Sequence, residues 1–287
     1  MPDYVVGGTA LALATGVPLA WKWQLGVLRA CVYLLAVSML VAVALTGAGR
    51  WLAFTPITGT LAMWGATLLA ALASLLIVFF RDPDRPAPSR EDVIVSPADG
   101  RVVYVRPFEP GQLPLATKKG RTYPLRELAG TTLGDGCATV IGISMTLSDV
   151  HVNRAPAGGR VRLIKHVPGT FGSLRNPQML LTNERVTTVI EEGDLEVAIV
   201  QIASRLVRRI VTFVSEGDLL GLGQRIGVIR FGSQVDLIIT ASPRIRVAVQ
   251  AGDRVVAGQT IMALIGAGLG GPLAACSTGK AADGESP

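Results

Sequence analysis

Two stretches of the chain carry no charged residue: 30–48 (ACVYLLAVSMLVAVALTGA) and 58–80 (TGTLAMWGATLLAALASLLIVFF). Each is long enough to cross the roughly 30 Å hydrocarbon core of a bilayer as a helix. Together they predict a two-helix membrane hairpin within residues 1–80. A signal peptide followed by a buried helix fits less well, because two full-length spans follow one another and no small-residue cleavage site precedes a soluble start. Residues 81–92 (RDPDRPAPSRED) are polar and proline-rich and read as a linker. From 93 to 266 the pattern changes to short β-branched runs: VIVS, RVVYV, TVIGISM, RVRLIKHV, RVTTVI, EVAIVQIA, RIVTFV, VDLIIT and IRVAV. Runs of this length, broken by Gly, Pro, Asp and Asn, predict a mostly β domain. YPLRELAG (123–130) allows one short turn of helix, and the small, polar tail 267–287 reads as disordered.

Within the β domain, VAVQAGDRVVAGQTIMALI (247–265) places turns at Gly252-Asp253 and at Gly258 between strands. SPADGRVVYV (96–105) and RAPAGGRVRLI (154–164) are related strand–turn–strand pieces. They resemble the halves of biotinyl/lipoyl-like domains, which implies a barrel-sandwich-hybrid fold. The carrier role of such domains needs a lysine at a hairpin tip, and 247–265 contains none.

Composition agrees with a membrane portion: 49% hydrophobic residues, 17% charged and a mean hydropathy of +0.46. A net charge of +6 and a pI of about 9.6 suit either nucleic acid or an anionic lipid surface. With 5% aromatic residues and no basic–aromatic interleaving, nucleic acid is not expected and lipid head groups are. Arg50 is the one basic residue between the two spans, whereas Lys22, Arg29, Arg81, Arg85 and Arg90 flank them. The positive-inside bias therefore puts both ends in the cytoplasm, with Trp23, Trp51 and Trp64 near the span ends. Cys31, Cys137 and Cys276 show neither metal spacing nor a disulfide framework, as expected on a reducing side of the membrane.

The segment with most chemical content is GLGQRIGVIRFGSQVDLIIT (221–240), a Gly-Ser pair between two apolar runs. Glycine permits a strained peptide beside the hydroxyl, although an ordinary β-turn uses the same residues. Arg230, Phe231, Gly232 and Ser233 resemble the self-cleavage region of phosphatidylserine decarboxylases, a basic and an apolar residue before Gly-Ser and a strand. The resemblance continues in the family's order through FFRDPDR (79–85), SPADGRV (96–102), MTLSDVHVNRAPAGGRV (145–161), HVPGTF (166–171) and NERV (183–186). It spans roughly 79–265 and is closest in form to the compact bacterial and archaeal branch.

The resemblance implies a self-cleaving proenzyme. Ser233 attacks the carbonyl of Gly232, and the resulting ester eliminates to leave a pyruvoyl group in place of Ser233. That covalent cofactor serves where pyridoxal phosphate serves elsewhere, and neither pyridoxal phosphate nor a metal is implied. The substrate is phosphatidylserine, the products phosphatidylethanolamine and carbon dioxide. The two chains of the cleaved proenzyme stay together, and a homodimer is compatible. A serine hydroxyl needs a positioned base, and the matching residues are Asp99 in SPADG and His151 in DVHVNR. Many members carry a second histidine three residues on, where this chain has Arg154, and arginine does not act as a base at ordinary pH. His151 is assigned the role with His166 as its rival. Arg154, Asn183 and Arg208 are candidate substrate-binding residues. Arg208 lies in a run with Arg205 and Arg209 that suits a lipid phosphate or a solvated basic face. Outside this context Asp99 reads as a turn residue, Asn183 and Glu184 as polar positions beside a turn. Two other functions compete: decarboxylation of another serine phospholipid such as archaetidylserine, and a non-enzymatic membrane-anchored adaptor. The adaptor gives no reason for RFGS, SPADG and DVHVNR to occur together, and no sustained heptads are present.

Overall fold

The structure, a computed structural model, describes residues 2–23, 25–48, 54–90, 92–108, 113–114, 122–123, 138–170, 182–203, 210–229, 234–240 and 245–266. The chain forms two compact units, Met1–Arg81 with Thr146–Val150, and Asp82–Met145 with His151–Pro287. The short helical turn expected at 123–130 and the tail 267–287 lie outside the described residues, the first but for Tyr123.

The first unit holds three apolar helices, α1 (Asp3–Lys22), α2 (Val27–Ala48) and α3 (Pro56–Phe79), each long and apolar enough to cross a membrane. The two expected spans are α2 and α3; α1 is an addition. Its mean hydropathy, 1.4 against 2.3 and 2.2, is diluted by Gly7, Gly8, Gly16 and Pro18. Two of those glycines are where the helices meet. A Cβ on Gly8 would lie 2.5 Å from Met63 of α3, and one on Gly16 2.7 Å from Leu34 of α2. Small residues at such crossings let apolar helices approach closely. Thr55 and Thr58 close a capping box ahead of Pro56 and fix the start of α3.

The second unit is built from strands. In chain order they are β1 (Val93–Val95), β2 (Gly100–Phe108), β3 (Leu113–Pro114), β4 (Thr122–Tyr123), β5 (Ala138–Ser144) and β6 (Val152–Arg154). Next come β7 (Gly159–Val167), β8 (Arg185–Glu192), β9 (Leu195–Ile202), β10 (Ile210–Thr212) and β11 (Leu219–Leu220). Last are β12 (Arg225–Ile229), β13 (Gln234–Thr240), β14 (Ile245–Val247), β15 (Arg254–Val255) and β16 (Ile261–Ile265). All nine apolar runs of the sequence fall on strands. They pair antiparallel into an eight-stranded sheet, β11-β7-β8-β9-β13-β5-β2-β15, and the three-stranded sheets β1-β16-β14 and β10-β12-β6, with β3 and β4 as a separate pair. In the middle of the large sheet β5, β9 and β13 are buried over nearly their whole length, which is why they read as continuous rather than alternating apolar runs.

The unit contains an internal duplication. Gly100 and Gly159 both have positive φ, 154° and 132°. A Cβ on either would strike a carbonyl of the neighbouring strand, Ser144 O at 2.3 Å and Glu191 O at 2.4 Å. Both are followed by a β-bulge, between Val102 and Tyr104 and between Val161 and Leu163. Val102 exchanges backbone hydrogen bonds with Gly252 and Asp253 as Val161 does with Gly217 and Asp218, all four at 2.8–2.9 Å. The Val95 N–H donates to Pro156 O (2.8 Å) and, reciprocally, the Arg154 N–H to Pro97 O (2.9 Å). SPADGRV with AGDRVVAGQ and APAGGRV with EGDLLGLGQ are thus two copies of one device around an approximate twofold. Val102, Val161, Leu220, Ile226, Val255 and Met262 meet in the shared core.

Candidate active site

The copies differ where chemistry was expected. Asp99 stands where the other copy has Gly158, and Arg154 where the other has Val95. A scaffold that needed only turns would keep small or apolar residues at both.

Two connections run between the same pair of sheets. Along one, β5 ends at Ser144 and the chain reaches His151 just before β6. Along the other, β12 ends at Ile229 and β13 begins at Gln234. Ser144 pairs with Gln234, and the Ile229 N–H donates to the His151 carbonyl at 3.2 Å. The residues on either side of the RFGS segment, Ile229 and Gln234, are therefore bonded to the two ends of the connection from Ser144 to His151. Gly232 and Ser233 lie outside the described residues, as do Arg205, Arg208 and Arg209. Their flanks are firmly held. Gln234 sits between Ile202 of β9 and Ser144 of β5, and β12 sits between β10 and β6.

His151 is buried, 1% exposed. Beside it on β6, Asn153 accepts from Gln201 Nε2 (2.7 Å) and donates to Pro97 O (3.4 Å), so a buried polar pair ties the histidine strand to β9 and to the SPADG loop. Asp99 is also buried. Arg85 grips it with both terminal nitrogens, at 2.5 and 2.9 Å, and the Ala257 N–H donates to Oδ1 at 2.8 Å. Arg85 reaches on to Ala257 O at 3.1 Å. The carboxylate thereby locks the SPADG loop to the β15–β16 turn.

Arg154, 4% exposed, donates to Gly223 O (3.0 Å), Pro83 O (2.9 Å) and Asp82 (3.4 Å). Burial, and then the neighbouring Arg225 cation, pull its pKa below the usual arginine value. Arg225 closes on Asp82 at 2.6 Å and Asp84 at 2.7 Å, which holds the Asp84 carboxyl below its ordinary range. The stretch 82–85, read from sequence as linker, is a strap fastened by three arginines. Asn183 is fully buried and donates to Ala203 O at 2.9 Å.

His166 lies apart. It is on β7, separated from β13 by β8 and β9, about 14 Å along the sheet at ordinary strand spacing. Its side chain is 56% exposed and bonded to Glu184 at 3.0 Å. Of the two histidines, His151 is the one whose backbone is bonded to the flank of the RFGS segment.

A further polar group escaped sequence reasoning. Gln234 Nε2 donates to Asp236 Oδ1 (2.7 Å) and to the Tyr104 hydroxyl (2.9 Å), and that hydroxyl donates to Asp236 Oδ2 (2.7 Å). Asp236 is fully buried, and burial raises its pKa to about 6 against the pull of these hydrogen bonds. The one signal was an acid inside the apolar run VDLIIT.

Known proteins resemble this chain over most of its length. A family model described as phosphatidylserine decarboxylase matches residues 72–263. The chain is 42% identical over 200 residues, 69% of its own length and 76% of the other's, to a phosphatidylserine decarboxylase proenzyme of Erythrobacter litoralis. It is 41% identical over 199 residues, 69% of its length and 94% of the other's, to a putative archaetidylserine decarboxylase proenzyme of Methanocaldococcus jannaschii. A phosphatidylserine decarboxylase proenzyme of Symbiobacterium thermophilum is 38% identical over 196 residues, 68% of this chain and 81% of that one.

Proposed function

Because the chain belongs to the phosphatidylserine decarboxylase family of carboxy-lyases, we propose that it cuts itself between Gly232 and Ser233 and then converts phosphatidylserine to phosphatidylethanolamine and carbon dioxide. The observation that supports this reading is the hydrogen bond between His151 and Ile229, the last described residue before the bond proposed to be cut.

His151 takes the proton of the Ser233 hydroxyl as its oxygen attacks the Gly232 carbonyl. The Gly232–Ser233 peptide C–N bond breaks and an ester forms, freeing the amine of Ser233. Loss of the Ser233 α-proton then breaks its Cβ–O bond, releasing the upstream chain as a carboxylate. The dehydroalanine left behind takes up water and sheds ammonia. Asp99, clamped by Arg85, holds the SPADG loop whose Pro97 carbonyl receives both Arg154 N–H and Asn153, and so sets the strand that carries His151.

The residues around position 233 fit a pyruvoyl group. The new chain would begin directly before a strand paired on both sides, and the old chain would end after β12, itself paired on both sides. Cleavage therefore leaves both fragments bound. That group supplies an electron-accepting carbonyl for the loss of carbon dioxide. His151 stays within the buried layer as the group that holds and returns a proton. Arg208 is the proposed ligand of the lipid phosphate, while Arg154 and Asn183 shape the site through the carbonyls they bind.

The duplicated device around an approximate twofold supports the barrel-sandwich-hybrid class. If α1, α2 and α3 all cross, the Asp3 end and the connection from α2 to α3 would share one side of the membrane. Lys22, Arg29, Arg81, Arg85 and Arg90 then share the other side with the β unit, against Arg50 alone. The positive-inside bias puts the β unit in the cytoplasm. Two crossings, by α2 and α3 alone, would instead leave both ends on the cytoplasmic side.

Substitution tests the reading. Ser233→Ala is expected to remain one intact, inactive chain, because no hydroxyl starts the acyl shift; cleavage in that variant would contradict it.

A further inference from the structure

We propose that Tyr104, Gln234 and Asp236 form a positioning set for residue 233, holding the amide that joins it to β13 in one orientation during self-cleavage. The inference rests on cleavage between Gly232 and Ser233.

Gln234 is the first residue after the scissile bond, and its side chain lies with that of Asp236 on one face of β13. Val235, Leu237 and Ile239 take the other face and enter the core. Both hydrogens of the Gln234 amide are committed, one to the Asp236 carboxylate and one to the Tyr104 hydroxyl. Tyr104 completes the ring of hydrogen bonds by donating to the other carboxylate oxygen. Rotation of Gln234 would break two of the three bonds at once, so its side chain is held in one orientation.

The scaffold departs from regularity to admit this ring. The bulge between Val102 and Tyr104 sets Tyr104 opposite Gly142 of β5. A Cβ on Gly142 would lie 2.4 Å from the Tyr104 ring, so only glycine leaves room for it. Gly142 is in turn the cross-strand partner of Asp236. Arg106 covers the ring from outside, its guanidinium 5.3 Å from the centroid. An isolated buried carboxylate is unfavourable; here it is retained with two donors aimed at it, next to the one bond the chain must break.

Among the described residues, the titratable or charged groups facing Asp236 are Tyr104 directly and Arg106 across its ring; Gly142 on β5 and Val200 on β9 add none. The ionised carboxylate accepts both donors. Protonated, one oxygen becomes a donor, the Tyr104 hydroxyl must turn its own hydrogen away to accept it, and the charge-assisted bonds that hold Gln234 weaken. Self-cleavage is therefore expected to slow as pH falls through about 6, the value to which burial brings Asp236.

The test uses full-length chain made in a cell-free system with liposomes, pulse-labelled and shifted to buffers from about pH 5 to 8. Fragments are followed by gel and by mass. Wild type is expected to show an acid limb. Asp236→Asn is expected to cleave about 10²-fold more slowly at neutral pH, the scale of a 1 Å misplacement, and to lose the part of that limb that Asp236 sets. Tyr104→Phe keeps the aromatic side chain but removes one donor from the carboxylate, so the limb is expected to move up by about one pH unit. A purely structural role would lower the melting temperature and leave the limb in place, and a limb unmoved in both variants overturns the proposal. Should Asp236→Asn fail to fold, an unmoved limb in Tyr104→Phe overturns it alone. Wild type that stays whole, or is cut elsewhere, overturns the Ser233 reading and this inference with it, an outcome visible before any variant is made.

Discussion

The Ile229 N–H donates to the His151 carbonyl at 3.2 Å, joining the last described residue before the RFGS segment to the histidine of the motif. His166, three strands from β13 and more than half exposed, is bonded instead to Glu184. His151→Ala is therefore expected to accumulate uncut chain, and His166→Ala to cleave at the wild-type rate. Gel analysis of the two variants decides between them, and the opposite pattern would exchange the roles.

The Arg85–Asp99 pair is bidentate, with Asp99 buried and Arg85 largely so. Removing one partner of such a pair typically costs about 3–5 kcal/mol, because the other is left charged and buried. Arg85→Ala is expected to lower the melting temperature of the β unit and to slow cleavage, since the SPADG loop loses its clamp. Asp99→Asn should slow cleavage as well. Full cleavage in both variants would remove Asp99 from the account.

Asp236 makes stability depend on pH in a stated direction. Burial raises its carboxyl from 3.8 to about 6, so between those values the folded chain holds a proton that the unfolded chain has released. Its contribution is fully present below the ordinary value and is lost as pH rises through 6, by about 3 kcal/mol in all. The difference in unfolding free energy between wild type and Asp236→Asn should shrink by that order from about pH 4 to pH 7. A constant difference would mean that Asp236 does not titrate in this window.

Three spans predict that the two ends of the membrane unit lie on opposite faces. A tag placed before Asp3 should be reachable by protease from outside the cell, and one placed after Pro287 only after the membrane is opened. Protection of both tags in intact cells would restore a two-span hairpin.

Much of this architecture was legible in the sequence because continuous β-branched runs such as EVAIVQIA and VDLIIT have few alternatives to a strand buried on both faces. The helix α1 was not, because the glycines that let it pack on Leu34 and Met63 also lower its hydropathy. The pieces SPADGRV and APAGGRV were visible as related; their reciprocal bonds through Pro97 and Pro156 appear only in three dimensions. Asp99 and His151 stood out through motif order alone, since an Asp-Gly turn and a single histidine carry little signal separately. The clamp on Asp99 came from Arg85, in a segment whose prolines suggested a linker. Tyr104 and Asp236 are 132 residues apart and meet through a bulge, which no local pattern reveals.

The mass of the purified chain tests the central claim most directly. Cleavage at the proposed bond predicts two fragments, residues 1–232 and 233–287. The smaller is expected to resist Edman degradation and to have the mass of a pyruvoyl group, rather than a serine, at its first position. An active preparation consisting of one uncut chain, or a smaller fragment that begins with an intact serine, would contradict it.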